Sequence, residues 1–287
     1  MKYAYFLGCT VPARTNQYDA SARQVAKKLG IELIDMEDQA CCGLNFKSVD
    51  HHAWLVMAAR NLVVAEKMGL NIATLCNGCY GTLKEVNQLL KTDKKLKNKV
   101  NEILKEINME FQGKIEVKHY IELLLEIGYD KIKQNIKIPL NGIKAAVHYG
   151  CHLLKPSEVS KFDDIESPKK LDELVELTGA ISIDWQNKLN CCGAPLLSID
   201  ENISVKMARL KFQGAQKANV DCIISVCPFC TIQFDLIQLK VQDTYEEEFN
   251  IPVLYLTQLL GLAMGIDVEM LGLELHRIEP EFIEKFV

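Results

Sequence analysis

Ten of the chain's eleven cysteines obey one spacing rule, and they obey it twice. In the first half Cys9 is followed after 31 residues by Cys41-Cys42-Gly43, and 33 residues after Cys42 stand Cys76-Asn77-Gly78-Cys79. In the second half Cys151 is followed after 39 residues by Cys191-Cys192-Gly193, and 34 residues after Cys192 stand Cys227-Pro228-Phe229-Cys230. Two copies of one motif imply two copies of one supersecondary unit, so the repeat constrains the fold before any element is assigned. Cys222 alone falls outside the rule and reads as a small buried hydrophobe.

The flanking residues repeat as well. The β-prone runs 3–7 and 144–149 end at Gly8-Cys9 and Gly150-Cys151. Ala22, Val25, Ala26 and Leu29 keep helical spacing up to Gly30, as Leu171, Leu174, Val175 and Leu177 do up to Gly179. Short strands are predicted at 31–34 and 180–183, and helices at about 50–68 and 203–218 follow each Cys-Cys-Gly. Strands at 72–75 and 223–226 then deliver the CxxC pairs. A lysine-rich helix carrying Leu96, Val100, Ile103, Leu104 and Ile107 leads to a fourth strand at 115–117 and a helix at 121–127. The second half repeats that ending at 253–256 and 257–264, and the join lies near 130–141. The expectation is an α/β chain of two tandem domains, 1–137 and 138–287, each a small parallel-sheet, Rossmann-like βα-repeat unit related by an internal pseudo-two-fold duplication. Every cysteine group then sits at the C-terminal end of a strand, the edge at which open parallel sheets bind ligands, and both edges are expected around one interdomain cleft.

Thiolates are soft ligands for iron–sulfur clusters, zinc or copper. Adjacent cysteines on a strand point to opposite faces, so Cys-Cys-Gly reads as a loop, relaxed by its glycine, that wraps a metal centre. Five thiolates per half exceed the four of a zinc site or an ordinary cubane, which favours a cluster larger or more open than either. A chain of 287 residues, 48% hydrophobic, is long enough to build a core without disulfides, and a thioredoxin-like CxxC leaves the other cysteines unexplained. A net charge of −5 argues against a nucleic-acid partner. The apolar run before Cys9 is too short for a signal peptide, and the uncharged stretch 251–266 too short to span a bilayer, so a soluble, cytoplasmic protein is expected. No dinucleotide-binding glycine motif, P-loop or zinc-protease helix is present, so electrons must come from a partner.

The duplicated pattern with its Cys-Cys-Gly core resembles the cysteine-rich CCG domain. The whole chain, from Phe6-Leu7-Gly8-Cys9 to its last helices and through Ile138-Pro139-Leu140-Asn141-Gly142 and His148-Tyr149-Gly150-Cys151-His152, resembles the B subunits of the heterodisulfide reductases of methanogenic archaea. The resemblance implies two noncubane [4Fe-4S] clusters, one on Cys9, Cys41, Cys42, Cys76 and Cys79, the other on Cys151, Cys191, Cys192, Cys227 and Cys230. It implies reduction of the mixed disulfide of coenzymes M and B to two thiols, in methanogenesis, with the disulfide split between the clusters. It also implies partners: an iron–sulfur subunit with cubane clusters, a flavin-bearing subunit that bifurcates electrons, and a hydrogenase or formate dehydrogenase.

An anionic substrate calls for cations, and Arg14, Lys47 and Lys155 stand four or five residues after motif cysteines. His148 and His152, flanking Cys151, are candidate proton donors, as are His51 and His52 at the start of a predicted helix. Two alternatives remain: a CCG-domain electron-transfer subunit of a hydroxy-acid, succinate or thiol–fumarate oxidoreductase, and a non-catalytic scaffold stabilised by zinc in one or both motifs.

Overall fold

In each half four strands run parallel, and their order decides where a ligand can sit. The computed structural model describes residues 1–286. The first half runs β1 (Lys2–Phe6), α1 (Thr10–Arg14), α2 (Asn16–Leu29), β2 (Glu32–Asp35), α3 (His51–Met68), β3 (Ile72–Thr74), α4 (Asn77–Thr92), α5 (Lys94–Leu104), β4 (Val117–His119), α6 (Tyr120–Ile127) and α7 (Tyr129–Asn135). The second runs β5 (Lys144–His148), α8 (Cys151–Leu154), α9 (Ser157–Ser160), α10 (Lys170–Glu176), β6 (Ile181–Ile183), α11 (Glu201–Lys217), β7 (Cys222–Ser225), α12 (Pro228–Tyr245), β8 (Val253–Tyr255), α13 (Leu256–Ala263) and α14 (Val268–Leu271). The sheets have the orders β2-β1-β3-β4 and β6-β5-β7-β8, all pairs parallel.

This order places a topological switch between β1 and β3, and again between β5 and β7. The chain leaves those two strands in opposite directions, so a crevice opens at their C-terminal ends. They are the strands that run into Cys9 and Cys76, and into Cys151 and Cys227. The tandem α/β duplication expected from the spacing is thus present. Past their first residues the central strands are buried, as strands covered by helices on both faces must be, whereas the edge strand β2 is not.

The fourth strand of the first half lies at Val117–His119, two residues later than the pattern predicts. Lys118 and His119 break the apolar run that identifies its neighbours, yet His119 is fully buried and in register with Thr74. Elsewhere the predicted elements are found within one to three residues, the usual uncertainty of their ends.

The two sheets share one continuous apolar core. Helix α2 lies against α13, where the Tyr18 ring stacks on Tyr255 at 3.8 Å and 11° and Ser21 Oγ meets Thr257 Oγ1 at 2.7 Å. The Tyr18 hydroxyl donates to the carbonyl of Val226 at 3.0 Å, so a side chain of the first half holds the residue before Cys227. Lys137 and Ile138 both donate their N–H to Ala263 O, so the linker is packed onto the second half before β5 begins. Among the described residues no helix is long and apolar enough to cross a membrane.

Tyr18→Phe keeps the stacked ring but leaves the buried Val226 carbonyl without its donor. It should lower stability by about 1–3 kcal/mol in urea denaturation, with both halves still unfolding in one transition. Unchanged stability would show that this bond does not hold the second half.

Candidate functional site

Helix caps and one tight turn per half bring the cysteines to the switch points. Asp50 caps α3 by accepting the Ala53 N–H at 2.9 Å, and Asp200 caps α11 by accepting the Ile203 N–H at 3.1 Å. The loop before each cap must return to the sheet edge, and Gly43 and Gly193 turn it at φ values of 86° and 88°. A Cβ at either glycine would lie 3.1 Å from the Cβ of a methionine, Met57 or Met207. The N–H of each glycine donates to the sulfur of the first loop cysteine, Cys41 or Cys191, at 3.5 Å. Cys76 and Cys227 are the N-caps of the long helices α4 and α12, with Cys79 and Cys230 in their first turns. A helix N-terminus favours thiolate, but of these four only Cys227 is held below the ordinary thiol range; burial and neighbouring thiols push Cys76, Cys79 and Cys230 up.

All eleven cysteines are free thiols. Cys230 donates to the Cys192 sulfur at 3.5 Å. In the first set Cys41, Cys42, Cys79 and Cys76 lie near enough to shift one another's protonation, as do Cys151, Cys191, Cys192, Cys230 and Cys227 in the second. Cys76 and Cys227 influence each other across the domain boundary. Nine thiols are thus electrostatically linked through the interface. Cys9, the tenth motif cysteine, is exposed at the start of α1, with its sulfur 3.7 Å from Thr10 Oγ1. Thiols crowded in this way share protons unequally: neighbouring thiols donate to Cys42, Cys191 and Cys227 and hold them well below the ordinary thiol range, while their partners are pushed up. Cys222 stands apart within β7, fully buried, and burial raises its thiol.

Each half therefore presents five thiols, three of them buried, at a switch point. Thiolates are the soft ligands that iron–sulfur clusters take, and each half gathers five of them at one strand edge, so the donor set fits such a cluster. The buried Nε2 of His148, beside Cys191 and Cys227, has no hydrogen-bond partner, leaving a polar atom for a bound group to satisfy.

Beside Cys151 a cleft of about 230 Å³ opens between the halves. Leu44, Lys47, Gly81, Thr82 and Glu85 line it from the first half, and Cys151, His152, Lys155 and Pro156 from the second. Three sequence candidates, Lys47, Lys155 and His152, thus meet at one place. Lys47 is held by Glu85, at 2.6 and 2.8 Å, and lies 5.0 Å over the Trp54 ring. Arg14 is exposed at the end of α1 and takes no part in this lining. His51 and His52 are exposed at the start of α3. His148 is buried at the end of β5, its Nδ1 3.3 Å from Lys211 Nζ, and burial with that ammonium holds its pKa well below the ordinary value.

Several site residues carry no signal in the cysteine spacing. Thr82, buried in the cleft wall with an unpartnered hydroxyl, follows Cys79 by three residues and so shares its helix face. Asn77, inside the first CxxC, donates to Tyr149 O at 2.8 Å across the interface, and Gly150 admits it: a Cβ there would lie 2.4 Å from the amide nitrogen. His119 is lowered to about 4 by burial and bonds the carbonyl of Leu75 at 3.1 Å.

The model of the cysteine-rich domain, CCG, matches twice, at residues 3–84 and 145–235. The B subunit of the ferredoxin:CoB-CoM heterodisulfide reductase of Methanosarcina mazei is 43% identical over 99% of this chain and 96% of that protein. The 8-methylmenaquinol:fumarate reductase membrane anchor subunit of Wolinella succinogenes is 34% identical over 97% of both. A solved structure of a hypothetical protein from Helicobacter pylori shares the fold, with a TM-score of 0.78 at 21% identity, over 97% of this chain and 52% of that one.

Gly193→Ala places a Cβ 3.1 Å from both Met207 Cβ and Ser204 O at a left-handed φ. It should cost about 1–3 kcal/mol in thermal or urea unfolding, because strain and contact coincide in the loop that carries Cys191 and Cys192. Wild-type stability would mean that the loop relaxes without its glycine.

Proposed function

Since this chain belongs to the family of heterodisulfide reductase B subunits, we propose that it carries the site where a mixed disulfide of coenzyme M and coenzyme B is reduced to two thiols. The single observation that carries this reading is the interdomain cleft at Cys151, to which each half brings a lysine beside its five-cysteine set. Cys9, Cys41, Cys42, Cys76 and Cys79 would hold one noncubane [4Fe-4S] cluster, and Cys151, Cys191, Cys192, Cys227 and Cys230 the other. Such clusters, when bound, supply one-electron storage and iron sites that accept a thiolate.

The reaction consumes one disulfide, two electrons and two protons, and yields two thiols. The chain's own residues bind and orient. Lys47 and Lys155 face the cleft from opposite halves and attract the anionic ends of the substrate. Glu85 holds Lys47 in place, which reduces the ordering left to do when substrate arrives. The Thr82 hydroxyl offers the cleft a hydrogen bond that it makes nowhere else. His152 borders the cleft, with Nδ1 3.7 Å from Cys151 Sγ, and is the group placed to deliver a proton to a departing thiolate there. His148, fully enclosed and held neutral, is a positioning residue for the second set. The two electrons enter from a partner iron–sulfur protein, which the two-centre arrangement requires because no flavin or nicotinamide motif is present.

A second reading, an electron-transfer subunit of a fumarate reductase, is favoured by the Wolinella relative. The cleft separates the two readings, since pure electron transfer does not need Lys47 and Lys155 to meet.

Lys47→Ala and Lys155→Ala should each raise KM for the heterodisulfide about 10- to 100-fold, the loss of one charge-assisted hydrogen bond, with a smaller change in kcat. Steady-state assays with a viologen donor check this, and unchanged KM in both variants would favour the second reading. After anaerobic purification, Cys42→Ala and Cys192→Ala should each lose about half of the iron and sulfide. Full iron content with full activity would defeat the five-ligand assignment, and stoichiometric zinc without iron would defeat the cluster reading.

A further inference from the structure

From the Cys-Cys-Gly loops into the following helices, the two halves correspond residue for residue at an offset of 150. Gly43 pairs with Gly193, Asp50 with Asp200, and Met57 with Met207, each pair in the same structural role. At the next buried polar position the match breaks: the first half has Asn61 and the second Lys211, 0% and 1% exposed.

Both residues pin the loop that leads to the adjacent cysteines. Asn61 accepts the Ala40 N–H at 2.8 Å and donates to Cys41 O at 3.3 Å. Lys211 donates to the carbonyls of Asn187 and Lys188 and to His148 Nδ1, and lies 5.0 Å over the Trp185 ring. The mechanical task is the same, but one half performs it with a neutral amide and the other with an ammonium. Among the described residues Lys211 has no carboxylate partner, and Lys188, whose carbonyl it bonds, is itself paired with Asp172 at 2.7 Å. Lys47, the cation beside the first set, is paired with Glu85 and lies at the open cleft, not in the buried interior. Lys211 and Cys191 line one cavity, which puts the ammonium directly behind the second set. Among the described residues one uncompensated buried positive charge therefore stands behind the second cysteine set, and none behind the first.

We propose that Lys211 sets the order of electron entry, making the centre held by the second cysteine set the more easily reduced of the two. This rests on the reading that each set holds an iron–sulfur centre. The step is transfer of one electron from a low-potential iron–sulfur donor, or dithionite in the test, to that centre. No bond forms or breaks and no proton need move. The added negative charge is stabilised by a fixed cation in a water-poor interior, where charge interactions are several-fold stronger than at the surface. The corresponding Asn61 gives the first centre no such charge.

The test is an anaerobic redox titration of the iron-loaded protein followed by paramagnetic resonance, comparing wild type with Lys211→Met, Lys211→Gln and Lys211→Arg. The Met and Gln variants should show one midpoint shifted to lower potential with the other unmoved, while Arg stays close to wild type. Gln retains a donor for the Asn187 carbonyl, so it is the decisive variant if Met loses iron. Cys192→Ala should remove the signal that moves, and Cys42→Ala should leave it. Unmoved midpoints in Gln, equal shifts of both signals, or an Arg variant that shifts as far as Gln would overturn the role of Lys211. Absence of iron from the wild type would instead overturn the cluster reading on which it rests.

Discussion

The structure depends on burying many sulfurs together at a domain boundary. A single thiol is at home in an apolar core, as Cys222 is, but nine electrostatically linked ones cannot all ionise without cost. The uneven proton sharing along the chain from Cys41 to Cys151 is the metal-free protein's partial answer to that crowding. A cationic metal centre on each side is a more complete one, since it replaces thiol protons with metal bonds. This is why the fold places so much rigid structure around loops that would otherwise repel one another: capped helices, left-handed glycines and a shared core.

The same constraint explains the interface. Two sheets could each bury a cysteine edge alone, yet here first-half side chains hold the backbone just before the second-half cysteines, Tyr18 at Val226 and Asn77 at Tyr149. The spacing between the two sulfur sets is thereby fixed by hydrogen bonds to main chain and not by a flexible linker. A substrate that must meet two centres at once needs such a fixed distance.

Much of this was legible in the sequence, for identifiable reasons. The cysteine groups, the parallel α/β repeat and the crevice edge all follow from features that recur twice, and recurrence separates signal from chance. Lys47, Lys155 and His152 were legible because they lie within a few residues of a ligand cysteine, and the cleft does gather them. Arg14 satisfied the same proximity rule and lies elsewhere, because α1 turns its end toward solvent. His119 and Thr82 were not legible: one lies in a strand disguised by its own polar residues, the other on a helix face that only the fold brings to the cleft. Lys211 was hidden because a lysine within a helix ordinarily reads as solvated.

What duplication conceals is as informative as what it reveals. Two domains with the same five ligands and the same sheet order would, if identical throughout, hold two equivalent centres, and nothing would direct an electron to one before the other. The departures from symmetry are not scattered. The counterparts of Lys47 and Lys155 at matching positions are Leu197 and Ala13, and that of Lys211 is Asn61. The two cleft lysines, one from each half, thus gather at a single place, the buried cation belongs to the second half alone, and Lys155 borders both the cleft at Cys151 and the cavity that Lys211 shares with Cys191. A symmetric ligand set in an asymmetric charge field is what a reaction needs when its substrate has two different ends and its electrons arrive one at a time. On the proposed reading, the symmetry would supply two centres at a fixed distance, and the substitutions that break it would give them an order.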